Sequence, residues 1–296
     1  MFSDGSMKSA LPPLKLSSPL TREFWEIPVI YEDAQLLAID KPASLLTSPD
    51  RNDPGRPSLM PLIHQGIQRG VPWATARGLT YLANTHRLDS DATGVLLLAR
   101  DKASLVAVAN EFGAEKPDRV YLALVRGEPA ETEFVVDVKL APDLNQPGQM
   151  RWTPAGKKSI TRFRVVERFA GSALIECRPL TERTHQVRVH LKFSGHPIYG
   201  DLVYGDSRLY LSTLKSDYRL KRNREERPLT PTLALHLERL ELLHPATRLP
   251  VTIRAESPKD LNVALKFLRR HAPGKAWAAS PSLPPDSIGP ESPGEP

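Results

Sequence analysis

The chain has 296 residues, 40 Lys plus Arg against 34 Asp plus Glu for a net charge of +6, 40% hydrophobic residues and 29 prolines. That length and apolar fraction supply a sizeable core in one large domain or two ordinary ones, and exclude a wholly disordered or fibrous chain. The lone Cys177 excludes a disulfide scaffold, suits a reducing compartment and reads as a small core hydrophobe, while apolar runs of only a handful of residues, such as Val95–Ala99, fall far short of the roughly 18 residues of a membrane span.

Taken in order, residues 1–22 carry Pro12, Pro13 and Pro19 among Ser and Lys, with no apolar stretch of a secretory signal. A disordered N-terminal tail and cytoplasmic residence are expected. Leu36–Ile39 is a short apolar run stopped by Pro42, and Val95–Ala99 is another; both have the length of buried strands. Asp101 can cap a helix whose Leu105, Val108, Ala109 and Phe112 recur at three and four residues, ended by Gly113. Val120–Arg126, Phe134–Leu140, Ile160–Val166 and Ala173–Pro179 alternate or are β-branched between Gly, Pro and Asn clusters, so a mostly antiparallel sheet is expected. Arg208–Arg227 is basic, with Lys215, Lys221, Arg222 and Arg224 near Tyr210 and Tyr218, and is either a solvated surface or an RNA-facing insertion. From Ala272 to Pro296 there are seven prolines among 25 residues, which reads as a second disordered tail. One globular domain over 23–271 remains.

The chemistry concentrates in Thr85-His86-Arg87-Leu88-Asp89-Ser90-Asp91-Ala92-Thr93-Gly94, which leads into the apolar run at Val95. A calcium loop would fit Asp89, Asp91, Thr93 and Gly94, but its twelfth position is Arg100 where a bidentate carboxylate belongs. A haloacid dehalogenase-type phosphatase would use Asp89 as nucleophile with Asp91, and Gly200-Asp201 with Asp206 as distal acids. That family's nucleophile ends a buried strand, whereas the lead-in here is Thr85-His86-Arg87-Leu88. A third possibility is a carboxylate acting at a sugar carbon, kept ionised by Arg87 and a second arginine. Arg183-Thr184-His185-Gln186-Val187-Arg188-Val189-His190-Leu191 is ambiguous between strand and helix. On a helix His185 and His190 lie about 140° apart and on a strand they face opposite ways, so neither period makes them a metal pair.

His86-Arg87-Leu88-Asp89, the segment Arg183–Leu191 and Gly195-His196-Pro197-Ile198-Tyr199-Gly200-Asp201 occur in that order and together resemble the signature segments of the RluA-type RNA pseudouridine synthases. Lesser matches surround them: Ile30–Asp33 leading to Asp40-Lys41-Pro42, Arg119–Gly127, and Leu235-His236 with His244-Pro245. The resemblance covers about residues 28–260. It departs at Ala92-Thr93-Gly94, where the family usually has Thr-Ser-Gly, and at Ser44, where it has Gly. It implies an α+β pseudouridine synthase fold, with a mixed, mostly antiparallel central sheet and flanking helices, making residues 23–271 the catalytic domain. It further implies an isomerase that converts uridines of structured ribosomal or transfer RNA, without metal or cofactor, as a monomer. No small RNA-binding domain is expected ahead of the catalytic one. By residue, it implies Asp89 as catalytic carboxylate, Arg183 as its partner and Tyr121 as the pocket tyrosine, with His86 and Arg87 positioning RNA. Lys215, Lys221, Arg222 and Arg224 become a candidate flank for RNA phosphates. A non-catalytic RNA-binding protein of the same fold is the remaining alternative, though binding alone does not require Asp89, Tyr121 and Arg183 together.

Overall fold

The computed structural model describes residues 12–50, 53, 55–205, 207–220 and 224–274. It corrects the expected start: β1 (Leu14–Ser17) pairs antiparallel with β2 (Phe24–Ile27). Leu14 and Leu16 recur with period two and are buried, and the Trp73 indole donates to the Lys15 carbonyl, so two leucines suffice to fix this segment. β3 (Val29–Glu32) and β4 (Leu36–Lys41) form a hairpin whose turn is held by Asp33, which accepts from the Gln35 and Leu36 amides. Helices α1 (Leu59–Gln68) and α2 (Pro72–Thr75) follow, the second opening on proline, whose fixed φ suits a first turn.

The short β5 (Ala83–Asn84) and β6 (Thr93–Ala99) bracket the acidic loop, and α3 (Lys102–Gly113) is capped by Asp101 accepting from the Ser104 amide, as its sequence foretold. Then come the long strands β7 (Asp118–Arg126), β8 (Glu133–Pro142), β9 (Met150–Trp152), β10 (Lys157–Phe169) and β11 (Ser172–Pro179). Helices α4 (Gln186–Phe193) and α5 (Leu211–Leu214) precede β12 (Leu235–Leu243), β13 (Pro250–Arg254) and α6 (Lys259–His271). At the C-terminal end, where the sequence led to an expected tail from Ala272, Ala272 is buried and Pro273 bridges Phe169; residues 275–296 lie outside the described residues. No helix among the described residues is long and apolar enough to cross a membrane.

The main sheet runs β3-β4-β6-β12-β7-β11-β10-β8-β9, with β13 on β12 and β5 on β6. Among these pairings only β6 with β12 is parallel, so the mixed, mostly antiparallel sheet is observed. Alternation distributes β4 and β6 between two cores. Leu37, Ile39, Leu96 and Leu98 pack with Leu59, Ile63 and Trp73, while Ala38, Val95 and Leu97 pack with Val108, Phe112 and Leu237. Each such leucine contributes roughly 1.5–3 kcal/mol by leaving water. Both faces being buried explains why these strands read as continuous apolar runs. At the parallel seam Gly94 has φ +110, and a Cβ there would meet the Leu237 carbonyl oxygen at 2.2 Å, so only glycine lets the acidic loop enter β6 beside β12.

Candidate active site

Asp89 sits in the loop between β5 and β6, at the wall of a cleft of about 750 Å³. The loop is gripped from below. Lys41, at the end of β4 and fully buried, donates to the carbonyls of Pro42, Ser90 and Ala92 at 2.8, 2.9 and 2.9 Å. Burial pulls the Lys41 pKa down to about 7, opposed by Asp91 and Asp89; three carbonyls nevertheless occupy the three protons of an ammonium, which a neutral amine could not match. Thr47 adds a reciprocal pair, donating to the Leu88 carbonyl at 3.1 Å and accepting its amide at 3.3 Å. Ser44, where the family usually has Gly, has φ +60, the left-handed region glycine occupies at no steric cost.

From above, α4 delivers the cation. Arg188 Nη1 donates to Asp89 Oδ2 at 3.0 Å, while its Nε and Nη2 grip Asp201 at 2.9 and 2.8 Å. Burial raises the Asp201 pKa, but the fork from Arg188 and the Tyr204 and Val203 amides outweigh it and hold the carboxyl below its usual range. Burial likewise works against the Arg188 charge, and the two carboxylates more than offset it, so the guanidinium is held charged. The Tyr204 ring lies 5.1 Å from the guanidinium carbon, a cation–π contact. Its hydroxyl accepts the Met150 amide at 2.7 Å and meets His185 Nδ1 at 2.8 Å. His185 Nε2 lies 3.8 Å from Asp89 Oδ1. Burial, outweighing the Asp89 charge, lowers the His185 pKa, which favours the neutral ring. Its φ of +54 turns the chain into α4.

The arginine expected on Asp89 is corrected. Arg183 lines the same cleft, but its Nη1 donates to the Glu182 carbonyl at 2.6 Å and lies 3.7 Å from Glu115; Arg188 is the arginine on Asp89. Helix geometry decides between them: α4 starts at Gln186, so Arg183 remains in the preceding turn while Arg188, in the first turn, reaches back toward the helix N-terminus and the loop.

Tyr121, on β7, lines the cleft with Asp89. Burial raises its pKa well beyond the usual value, keeping the phenol neutral. Arg87 is exposed at the cleft wall. His86 is not available to RNA: it is 6% exposed, stacks on Phe112 at 5.1 Å and accepts the Leu97 amide at 3.1 Å. Burial lowers its pKa to about 3. Alternation in the loop sends His86 inward and Arg87 outward. Lys215 lies 3.5 Å from Asp217 and Arg224 is exposed, but neither lines the cleft, and Lys221 and Arg222 lie outside the described residues.

The phosphatase alternative loses its parts. Asp89 precedes β6 instead of ending a buried strand, Asp201 is consumed by Arg188, and Asp206 lies outside the described residues. Among the described residues no group of three His, Cys, Asp or Glu could hold a metal ion. What the cleft offers around Asp89 is a carboxylate fixed by Arg188, the neutral Tyr121, and basic residues at the wall; of the other acids lining it, Glu182 is held by Arg119. That set suits positive charge developing beside Asp89 in a bound, uncharged ring.

Known proteins resemble this chain closely. A family model described as RNA pseudouridylate synthase matches residues 35–193. The Salmonella typhi protein named ribosomal large subunit pseudouridine synthase C is 33% identical over 246 residues, covering 82% of this chain and 70% of that one. The Escherichia coli O6:H1 dual-specificity RNA pseudouridine synthase RluA is 34% identical over 236 residues, covering 79% of this chain and 94% of its own. The solved structure of human RNA pseudouridylate synthase domain containing 4 superposes with a TM-score of 0.63 at 25% identity, covering 81% of this chain and 92% of that one.

Proposed function

The chain belongs to the RNA pseudouridylate synthase family, whose members are isomerases, and on that premise we propose that it converts specific uridines of structured ribosomal RNA to pseudouridine with Asp89 as the catalytic carboxylate. Transfer RNA, the other substrate the sequence resemblance implies, is the second candidate. The observation that carries the reading is Asp89 itself: a carboxylate with 23% of its side chain exposed in the cleft, bound on one oxygen by Arg188 at 3.0 Å.

In the reaction the bond from C1′ to N1 breaks, the uracil turns, a bond from C1′ to C5 forms, C5 gives up its proton to solvent and N1 takes one up, so the product is an isomer of the substrate. No oxidant and no added group is required. Cationic character at the sugar carbon calls for a fixed anion beside it, as in glycoside hydrolysis. Arg188, and Lys41 through the Ser90 and Ala92 carbonyls, hold Asp89 where that charge would develop, which is the value of preorganisation. Tyr121 offers a face for the detached base and a neutral hydroxyl within the cleft. A uracil stacked in folded RNA must first be extruded, and exposed Arg87 at the wall is suited to contact the everted nucleotide or its phosphate.

The test is RNA tritiated at uracil C5, whose tritium passes to solvent when pseudouridine forms. Asp89→Asn should bind ribosomal RNA within about twofold of the parent while releasing no tritium above background. Release at the parent rate would remove Asp89 from the chemistry.

A further inference from the structure

The helix that carries Arg188 into the cleft ends at an exposed aromatic residue. His185, Val189 and Phe193 fall at intervals of four and share one stripe of α4, as do Arg188 and Lys192. Val189 packs with Leu140 and Tyr204, and Phe193, 52% exposed, meets Trp152 of β9, 50% exposed, at 5.8 Å between ring centroids and 43° between planes. Two large rings side by side, each half in water, present a contiguous exposed aromatic face. Strand β9 is wired to the cleft: the Met150 amide donates to the Tyr204 hydroxyl, which contacts His185 beside Asp89. Trp152 opposes Leu140, and so does Lys157, which puts both on the face turned toward α4. Arg151, Lys157 and Lys192 are exposed and make no salt bridge among the described residues.

We infer that Trp152 and Phe193 form a stacking platform for an unpaired nucleotide of the substrate RNA, a few positions along the strand from the uridine held at Asp89, with Lys157 and Lys192 neutralising the adjoining phosphates. The inference rests on the RNA-modifying reading above and extends it to a second subsite. Charge decides the occupant: aromatic faces bordered by unpaired cations fit a base joined to phosphates, whereas an apolar protein segment would leave those cations without partners. Distance agrees, because His185 to Phe193 spans about 12 Å along the helix, which corresponds to a few nucleotides of a strand. Stacking reads no base identity, so the platform fixes the register of the strand and leaves choice of uridine to the cleft.

The probe is a fluorescein-labelled ten-residue oligouridylate, with binding to the full chain followed by anisotropy at several salt concentrations. Trp152→Ala combined with Phe193→Ala should weaken binding about tenfold and leave the salt slope unchanged, since stacking releases no counterions. Lys157→Gln with Lys192→Gln should instead reduce the slope by about 1.4. Trp152→Phe should retain most of the affinity, and its oligouridylate-induced tryptophan quenching should be lost. Because both rings are half-exposed, thermal unfolding of each variant should stay within a few degrees of the parent. Affinity within twofold of the parent for the double alanine variant overturns the platform, as does a change confined to self-association in sedimentation. Failure of tritium release bears on Asp89 alone, because oligouridylate affinity does not depend on turnover.

Discussion

Arg188→Met separates the structural and the chemical duties of one side chain. It deletes two hydrogen bonds to Asp201 and one to Asp89. Asp201, whose side chain is 1% exposed, then keeps only the Val203 and Tyr204 amides for a buried negative charge. Breaking such a pair from one side costs about 3–5 kcal/mol, which for a domain of this size lowers Tm by roughly 6–20 °C. Adding Asp201→Asn removes the stranded charge while keeping an oxygen for the two amides, so the double variant should recover most of that loss. Asp89 is not rescued: it has lost the guanidinium that orients it, and tritium release should remain down by about a hundredfold or more. The assay is thermal unfolding alongside single-turnover tritium release for parent, single and double variants. A double variant with recovered Tm and turnover within a few fold of the parent would reduce Arg188 to a structural ion pair. A single variant as stable as the parent would contradict the buried-charge argument.

Other outcomes follow from the same geometry. Lys41→Met leaves the Pro42, Ser90 and Ala92 carbonyls without their donor and should cost about 2–3 kcal/mol, with faster amide hydrogen exchange across residues 85–92; unchanged exchange would contradict the grip assigned to Lys41. Gly94→Ala should cost about 3 kcal/mol or more, or prevent folding, because its Cβ meets the Leu237 backbone; a Tm equal to the parent's would refute the close approach. Burial lowers the pKa of His86 to about 3 and of His190 and His236 to about 4. The unfolded chain therefore binds more protons below the usual histidine value near 6.5, so stability is full above it and falls as pH drops toward 4, by up to about 1.4 kcal/mol per unit for each ring. Denaturant titrations of parent and His236→Gln should show the variant with a shallower acid slope, and equal slopes would contradict the assignment. From the basic composition of residues 208–227 and not from geometry, neutralising Lys221, Arg222 and Arg224 together should weaken ribosomal RNA binding and flatten its salt dependence; unchanged binding would remove that segment from the interface.

Much of the sheet was readable because its strands announce themselves by composition. Leu36–Ile39 and Val95–Ala99 are apolar on both faces, and the hairpin strands from Val120 to Pro179 alternate between turn-forming clusters. The Asp101-capped helix was readable from its cap and its spacing. Leu14–Ser17 was obscured by neighbouring prolines, since two buried leucines are too few to register as a periodic pattern. At the site, Asp89 and Tyr121 could be placed in one cleft by resemblance, but the identity of the arginine depended on whether Arg183–Leu191 was strand or helix. An eight-residue helix with Val at two positions gives no decisive period. The role of Lys41 was not legible for a different reason: a buried ammonium is recognisable only from the carbonyls that surround it, and those come from residues 42, 90 and 92. Trp152 and Phe193 are forty-one positions apart in sequence, and only the packing of α4 on β9 brings them together.

Pseudouridine mapping across total RNA from cells that carry the parent chain, none, or Asp89→Asn at equal abundance addresses the chemistry most directly. One or a few uridines, in ribosomal RNA first, should be modified only in cells with the parent chain, and should read as unmodified uridine in the other two. Identical maps in all three, or full modification with Asp89→Asn, would contradict the role given to that carboxylate.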